Sequence, residues 1–215
     1  MRTQHLNKRA DVQHVFTRLE VLILLGCLLL LLGVYLPALP ARKKAVRVNC
    51  VNHLKQVALA FRVFAVEHDG RFPAQVHTNQ SGIPIFANPN GAAQMFQILS
   101  NDLPSLSVLF CPEDTQRPPP KNLAGGMDNW KVGYFASLTA DASQPDQMLA
   151  GDRHLRTHLS PTNGLLRINA KDSLRWSAGA QIDQGNIALA DGSVQHLHTN
   201  TPARHYGDHY WLVFP

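Results

Sequence analysis

Eleven histidines and three cysteines in a 215-residue chain are the first candidates for chemistry. His154 and His158 are spaced i,i+4, as are His205 and His209, and His196 and His198 would share one face of a strand. None of these pairs carries the acid of a His-Glu-x-x-His arrangement, so we read them as solvated or hydrogen-bonded histidines and assign no metal. The cysteines are Cys27, Cys50 and Cys111. No two form a Cys-x-x-Cys pair, which removes zinc-ribbon and thioredoxin-type readings. The sequence has no Gly-x-Ser-x-Gly, no phosphate-cradling glycine loop and no dinucleotide fingerprint. We therefore expect no enzymatic activity, no catalytic residue and no cofactor. That leaves one acid, Glu20, at the rim of an apolar run, and one dipeptide, Asp191-Gly192, near the C-terminus.

The element that must position Glu20 is a long helix. Val21 to Ala41 carries no charge over 21 residues. At about 1.5 Å per residue a helix of that length spans roughly 31 Å, close to the hydrocarbon thickness of a bilayer. Secretory signals have shorter apolar regions and a small-x-small cleavage site, so we expect this span to be retained. An ionisable side chain in hydrocarbon costs about 2.5–3.5 kcal/mol on insertion scales, so Glu20 sits at headgroup level or has a partner. Beyond the span, Cys50, Leu54, Val57, Phe61 and Phe64 recur at steps of four and three, a stripe that packs on the chain's own sheet. Gly70 and Pro73 stop the helix, which is expected over 16–69. Pro37 and Pro40 each remove a donor, so a kink or locally melted stretch is expected near Leu36–Ala41.

Charge separates the two parts of the chain. Of twenty Lys and Arg, eight lie in residues 1–47, with only two of the fifteen acids. Residues 48–215 keep 12 bases against 13 acids. The basicity belongs to the flanks of the apolar span, and no nucleic-acid surface is indicated. Both flanks are basic, so the positive-inside rule does not choose an orientation.

After the helix, "NGAAQMFQILSND" predicts a short second helix capped by Asn90. "SVLFC" predicts a strand ended by Pro112, and "RPPPKNLAGGMDN" a loop. "VGYFASL" and "QMLAG" predict strands. "NIALADGSVQHLH" predicts a hairpin with a two-residue turn at Asp191-Gly192. "YWLVF" is expected to add an edge strand. The sum is α+β: one long N-terminal helix on a small antiparallel sheet. Cys50 lies on the core-facing stripe and Cys111 at the end of the expected strand. If that part of the chain meets an oxidising compartment, Cys50 and Cys111 can form a disulfide; two buried free thiols are the alternative.

The stretch "FTRLEVLILLGCLLLLLGVYLPALPARKKAVRVNCVNHLKQVALAFRVFAVEHDGRFP" resembles the N-terminus of type IV pilin-like proteins, in particular bacterial type II secretion pseudopilins. In that family a short basic leader ends in Gly, Phe-Thr follows, and a Glu comes four residues after the Phe. Phe16, Thr17 and Glu20 hold those places. "GNIALADGSVQHL" resembles the late Asp-Gly motif of one large bacterial subfamily, and "LFCPEDT" and "YFASLTADASQPDQMLAGDRHL" resemble its middle. The resemblance implies a pilin-like fold and a division into a cytoplasmic leader (1–15), the transmembrane half of the helix (16–41), its amphipathic half (42–70) and a periplasmic head (71–215). It implies insertion in the bacterial inner membrane with the N-terminus cytoplasmic, cutting between Val15 and Phe16 by a prepilin peptidase, and assembly with other pilin-like subunits. Glu20 would then neutralise the new amine of Phe16 on a neighbouring subunit. Major pseudopilins bind calcium in a C-terminal loop; Asp141, Asp146 and Asp183 are candidate oxygens here, without a defined ligand set. Three positions depart from the pattern. Val15 stands where the leader Gly belongs, Arg18 where an apolar residue is common, and Gln181 where the subfamily carries a His ten residues before the Asp. Val15 favours a second reading, an uncleaved single-pass anchored protein whose head binds a partner or glycan.

Overall fold

The computed structural model describes residues 17–78, 84–112, 114, 131–177, 183–206 and 209–215, with backbone only at 36–44, 204, 205 and 209. The leader, Val15, Phe16, Gln181 and the loop expected at "RPPPKNLAGGMDN" lie outside the described residues. Two compact units divide the chain, Met1–Lys44 and Ala45–Pro215.

The first unit holds the start of α1 (Arg18–Glu67). Thr17 precedes it, and its Oγ1 accepts a hydrogen bond from the Glu20 N–H at 3.3 Å. The spacing Thr-x-x-Glu is that of a capping box, in which the hydroxyl satisfies a donor that has no partner inside the helix. The backbone stays helical across Leu36–Ala41, so the expected local melting at Pro37 and Pro40 does not occur.

In the second unit α1 continues as an amphipathic element. Cys50, Leu54, Val57, Phe61 and Phe64 are buried, the expected stripe, widened by Ala58, Ala60 and Ala65. The helix ends two residues before the expected Asp69. Asp69 and Gly70 adopt positive φ (54° and 76°), and the Gly70 N–H donates to the Ala65 carbonyl at 2.8 Å, which satisfies one of the helix's last acceptors. Then come α2 (Pro73–Val76) and α3 (Gly91–Ile98). Asn90 stands at the N-cap of α3, but its side chain makes no capping bond.

Nine strands follow among the described residues: β1 (Tyr134–Ser137), β2 (Met148–Asp152), β3 (Leu155–Arg156), β4 (Leu165–Asn169), β5 (Ser173–Trp176), β6 (Gln184–Leu189), β7 (Val194–His198), β8 (Thr201–Pro202) and β9 (His209–Val213). Six build an antiparallel sheet in the order β4-β9-β1-β2-β6-β7; β3, β5 and β8 form a smaller one. Every residue of β1 and β2 is buried, because the large sheet is covered on both faces. One core joins Leu54, Phe61, Phe96, Tyr134 and Ala136, from α1, α3 and β1. The other joins Phe135, Ile168, Leu174, Trp176 and Leu212, between the large sheet and the small one.

Three segments depart from their expected structure. "SVLFC" is not a strand: Leu106–Leu109 forms a 3-10 turn. A run of four apolar residues is equally compatible with either period, and this one is held by tertiary ties. "YWLVF" is not an edge strand: β9 pairs with β4 on one side and β1 on the other. Its Tyr210, Leu212 and Val213 are buried, which suits an inner strand. Finally, the Asp-Gly turn has three residues. Ala188 pairs with Val194, the Leu189 N–H donates to the Ser193 carbonyl at 2.9 Å, and the Gly192 N–H to the Leu189 carbonyl at 2.9 Å. Ala190-Asp191-Gly192 thus form a type I turn followed by a left-handed residue, with Gly192 at φ 87°, a form that costs glycine little.

Candidate functional site

Glu20 lies in the first turn of α1. There a carboxylate complements the partial positive charge of the helix N-terminus. Its side chain is exposed, as is every residue from Arg18 to Tyr35. That segment is long and apolar enough to cross a membrane. Leu22, Leu29, Leu30, Leu31 and Val34 each expose more than 60 % of their surface, a continuous apolar face that water does not tolerate in a soluble monomer.

Cys50 and Cys111 are joined as a disulfide with Cα atoms 4.9 Å apart, across a separation of 61 residues. Both are buried. The bridge fastens the segment after the 3-10 turn to the inner face of α1. His53, one turn further on, hydrogen-bonds the Phe110 carbonyl through Nδ1 at 2.7 Å. Cys27 is a free, exposed cysteine.

The Asp191-Gly192 turn rests on the outward side of the same helix. The Asp191 carbonyl accepts a hydrogen bond from the Arg62 guanidinium. The Asp191 carboxylate accepts from the Ser193 N–H at 2.7 Å. A Cβ at Gly192 would lie 3.0 Å from Arg62 Cδ. The dipeptide is therefore both a turn and a contact surface for α1.

The candidate calcium ligands are not assembled into a cage. Asp141 Oδ1 accepts from the Ser143 N–H at 2.8 Å and the Ser143 hydroxyl at 2.7 Å. The Ser143 hydroxyl, then the Ser143 N–H, hold the Asp141 carboxyl below its usual pKa against the opposing effect of partial burial. Asp183 lies at the start of the β6–β7 hairpin, its carbonyl accepting from the Thr199 N–H. Among the described residues no group of three or more His, Cys, Asp or Glu side chains could hold a metal. The paired histidines diverge. His154 Nε2 stands 3.5 Å from Asp114, and His158 Nδ1 stands 3.2 Å from Asp172. His196 and His198 meet edge to face, 5.6 Å between ring centres. His196 hydrogen-bonds Asn186 and Gln184 at 2.9 Å each. Desolvation, then the charges of Arg47 and His198, lower its pKa. The side chains of His205 and His209 lie outside the described set.

Two features of the head have no counterpart in the sequence reading. One is a buried polar cluster. Arg153 donates to both oxygens of Asp114, from Nε at 2.6 Å and from a terminal nitrogen at 3.1 Å. Nearby, Asp152 accepts from the Asn186 N–H at 2.6 Å and its amide at 3.1 Å. The adjacent "DRH" of residues 152–154 was its only trace in the sequence. The other feature is a groove of about 570 Å³ lined by Gln75, Thr78, Leu138, Leu165 and Trp211, among others. Trp211 is 42 % exposed and carries the Arg167 guanidinium 5.8 Å from its ring centre.

These features define a class: a mixed helix and antiparallel-sheet protein with one apolar N-terminal helix able to cross a membrane and a disulfide-tied head. No protein-family model, no curated protein and no solved structure matches the chain.

Proposed function

We propose that this chain is a pseudopilin-like structural subunit, inserted in the bacterial inner membrane and polymerised through its N-terminal helix into an assembly related to type II secretion or type IV pili. The observation that carries the reading is the sequence Phe16-Thr17-Arg18-Leu19-Glu20 at the head of α1. It opens a helix whose first part is exposed and apolar and whose later turns carry a buried stripe. The disulfide supports a head that matures in an oxidising compartment such as the periplasm. In this reading a prepilin peptidase cuts after Val15. The amine of Phe16 is then a cation in hydrocarbon, and Glu20 of a neighbouring subunit neutralises it. A charge pair is strong where the dielectric is low, and it sets the register of one helix against the next.

The experiment is the mass of the mature N-terminus in purified membranes. A chain beginning at Phe16, methylated or not, is the expected result; an intact Met1 end overturns processing. Two observations favour the second reading, an uncleaved single-pass anchored protein with a periplasmic binding head. They are the branched Val15 at the cleavage position and the Trp211 groove.

A further inference from the structure

Three buried side chains of the head end on polar atoms that meet no hydrogen-bond partner among the described residues: the Tyr134 hydroxyl, His154 Nε2 and Trp176 Nε1. Their residues are 0 %, 8 % and 5 % exposed. An unmet buried donor forfeits its bond to water without replacement, so native proteins rarely leave one, and three together call for a partner. All three lie around two buried carboxylates. His154 Nε2 stands 3.5 Å from Asp114 Oδ2. Tyr134 is close enough to Asp152 and Asp114 that their charges add to the effect of burial in raising its pKa. Trp176 lines one small cavity with Asp114, Asp152, His154 and Gln184. A Cβ on Gly185 would fall 1.6 Å from Trp176 Nε1, so that nitrogen lies directly on the glycine backbone.

The geometry points to one internal water molecule in this cavity, accepting hydrogen bonds from Trp176 Nε1 and His154 Nε2, the two members of the trio that line it, and donating to Asp114 and Asp152. Size and chemistry both select water. The centre of a water-sized sphere has about 10 Å³ in which to sit, room for a single molecule. The unpartnered indole N–H and the Arg153 guanidinium already bound to Asp114 disfavour a cation. The two carboxylates repel an anion. An apolar occupant would leave every one of these groups unmet. Water alone presents two acceptor sites and two hydrogens, and a carboxylate accepts up to about four hydrogen bonds, so Asp114 and Asp152 serve it beside their protein partners. Asp114 follows Cys111 by three residues, and its N–H donates to the Cys111 carbonyl at 2.8 Å. Asp152 ends β2 in the large sheet and Trp176 ends β5 in the small one. The water thus joins the disulfide-held segment to both sheets.

The test uses the full chain in detergent micelles with its tryptophans labelled with ¹⁵N. The Trp176 indole signal is assigned by elimination with the Trp130→Phe and Trp211→Phe variants, which keep Trp176. The expected result is a cross-relaxation peak between the Trp176 Nε1–H and water, with exchange of that proton into D2O at least tenfold slower than for the exposed Trp211. Absence of the water peak overturns the inference. So does its disappearance in Tyr134→Phe, since the signal would then come from the tyrosine hydroxyl.

Discussion

A glycine and a serine do more in this head than their size suggests. Gly192 holds φ 87° with its α-carbon facing Arg62. A side chain in the left-handed region costs roughly 1–2 kcal/mol, and here the new methyl would also press on the arginine stem. Gly192→Ala is therefore expected to lower stability by about that amount, read from the denaturant midpoint. Ser143 acts electrostatically. Its hydroxyl and N–H keep the Asp141 carboxyl ionised to lower pH than usual. A depressed carboxyl pKa adds stability that is present above the unfolded value, about 3.9, and is lost as pH falls through the folded one. Ser143→Ala should return the Asp141 titration toward the ordinary range and flatten the acid limb of the stability profile; carboxyl NMR titration and denaturation between about pH 5 and about pH 2 would show both. At this scale the sequence reading reached Asp191-Gly192 as a turn but missed Arg62 beneath it. The two meet across 129 positions of sequence, and nothing local encodes that approach.

Helices and strands tell a more even story. The stripe from Cys50 to Phe64 was legible because a helix with one buried face repeats every 3.6 residues and little else produces that spacing. β1, β2, β6 and β7 were legible from apolar runs bounded by turn residues. β4 and β5 were not: "LLRIN" and "SLRW" are short, and each needs strands distant in the chain to complete its pairing. The "SVLFC" segment misled for the same reason. Its last two residues, Phe110 and Cys111, are tied to His53 and Cys50 of α1. That tie is testable. Closing 61 residues removes chain entropy worth about 4 kcal/mol in the unfolded state. Cys111→Ser is expected to lower stability by about 2–4 kcal/mol and to abolish the mobility difference between reduced and non-reduced chains on gels. Equal mobility of the unaltered protein under both conditions would exclude the bridge.

For the whole molecule, membrane insertion and assembly are separable steps. If subunits register through Glu20, Glu20→Ala should insert in membranes like the parent yet fail to enter fibres, measured as the sedimenting fraction after shearing. Normal incorporation would remove the carboxylate from the mechanism. The apolar span, its basic flanks, the buried stripe and the α+β order of elements were determined by the sequence alone. Each is written in local composition or in a fixed periodicity, and the 21 uncharged residues from Val21 to Ala41 need no partner to be recognised. Only the tertiary structure decided that β9 is an inner strand, that Cys50 meets Cys111, that Asp-Gly sits on Arg62, and that Asp114, Asp152, His154 and Trp176 line one small cavity. Those are contacts between residues far apart in the chain. They exist because burying two cores on a single sheet leaves the intervening segments few places to go, and a pattern read along one dimension does not contain that constraint.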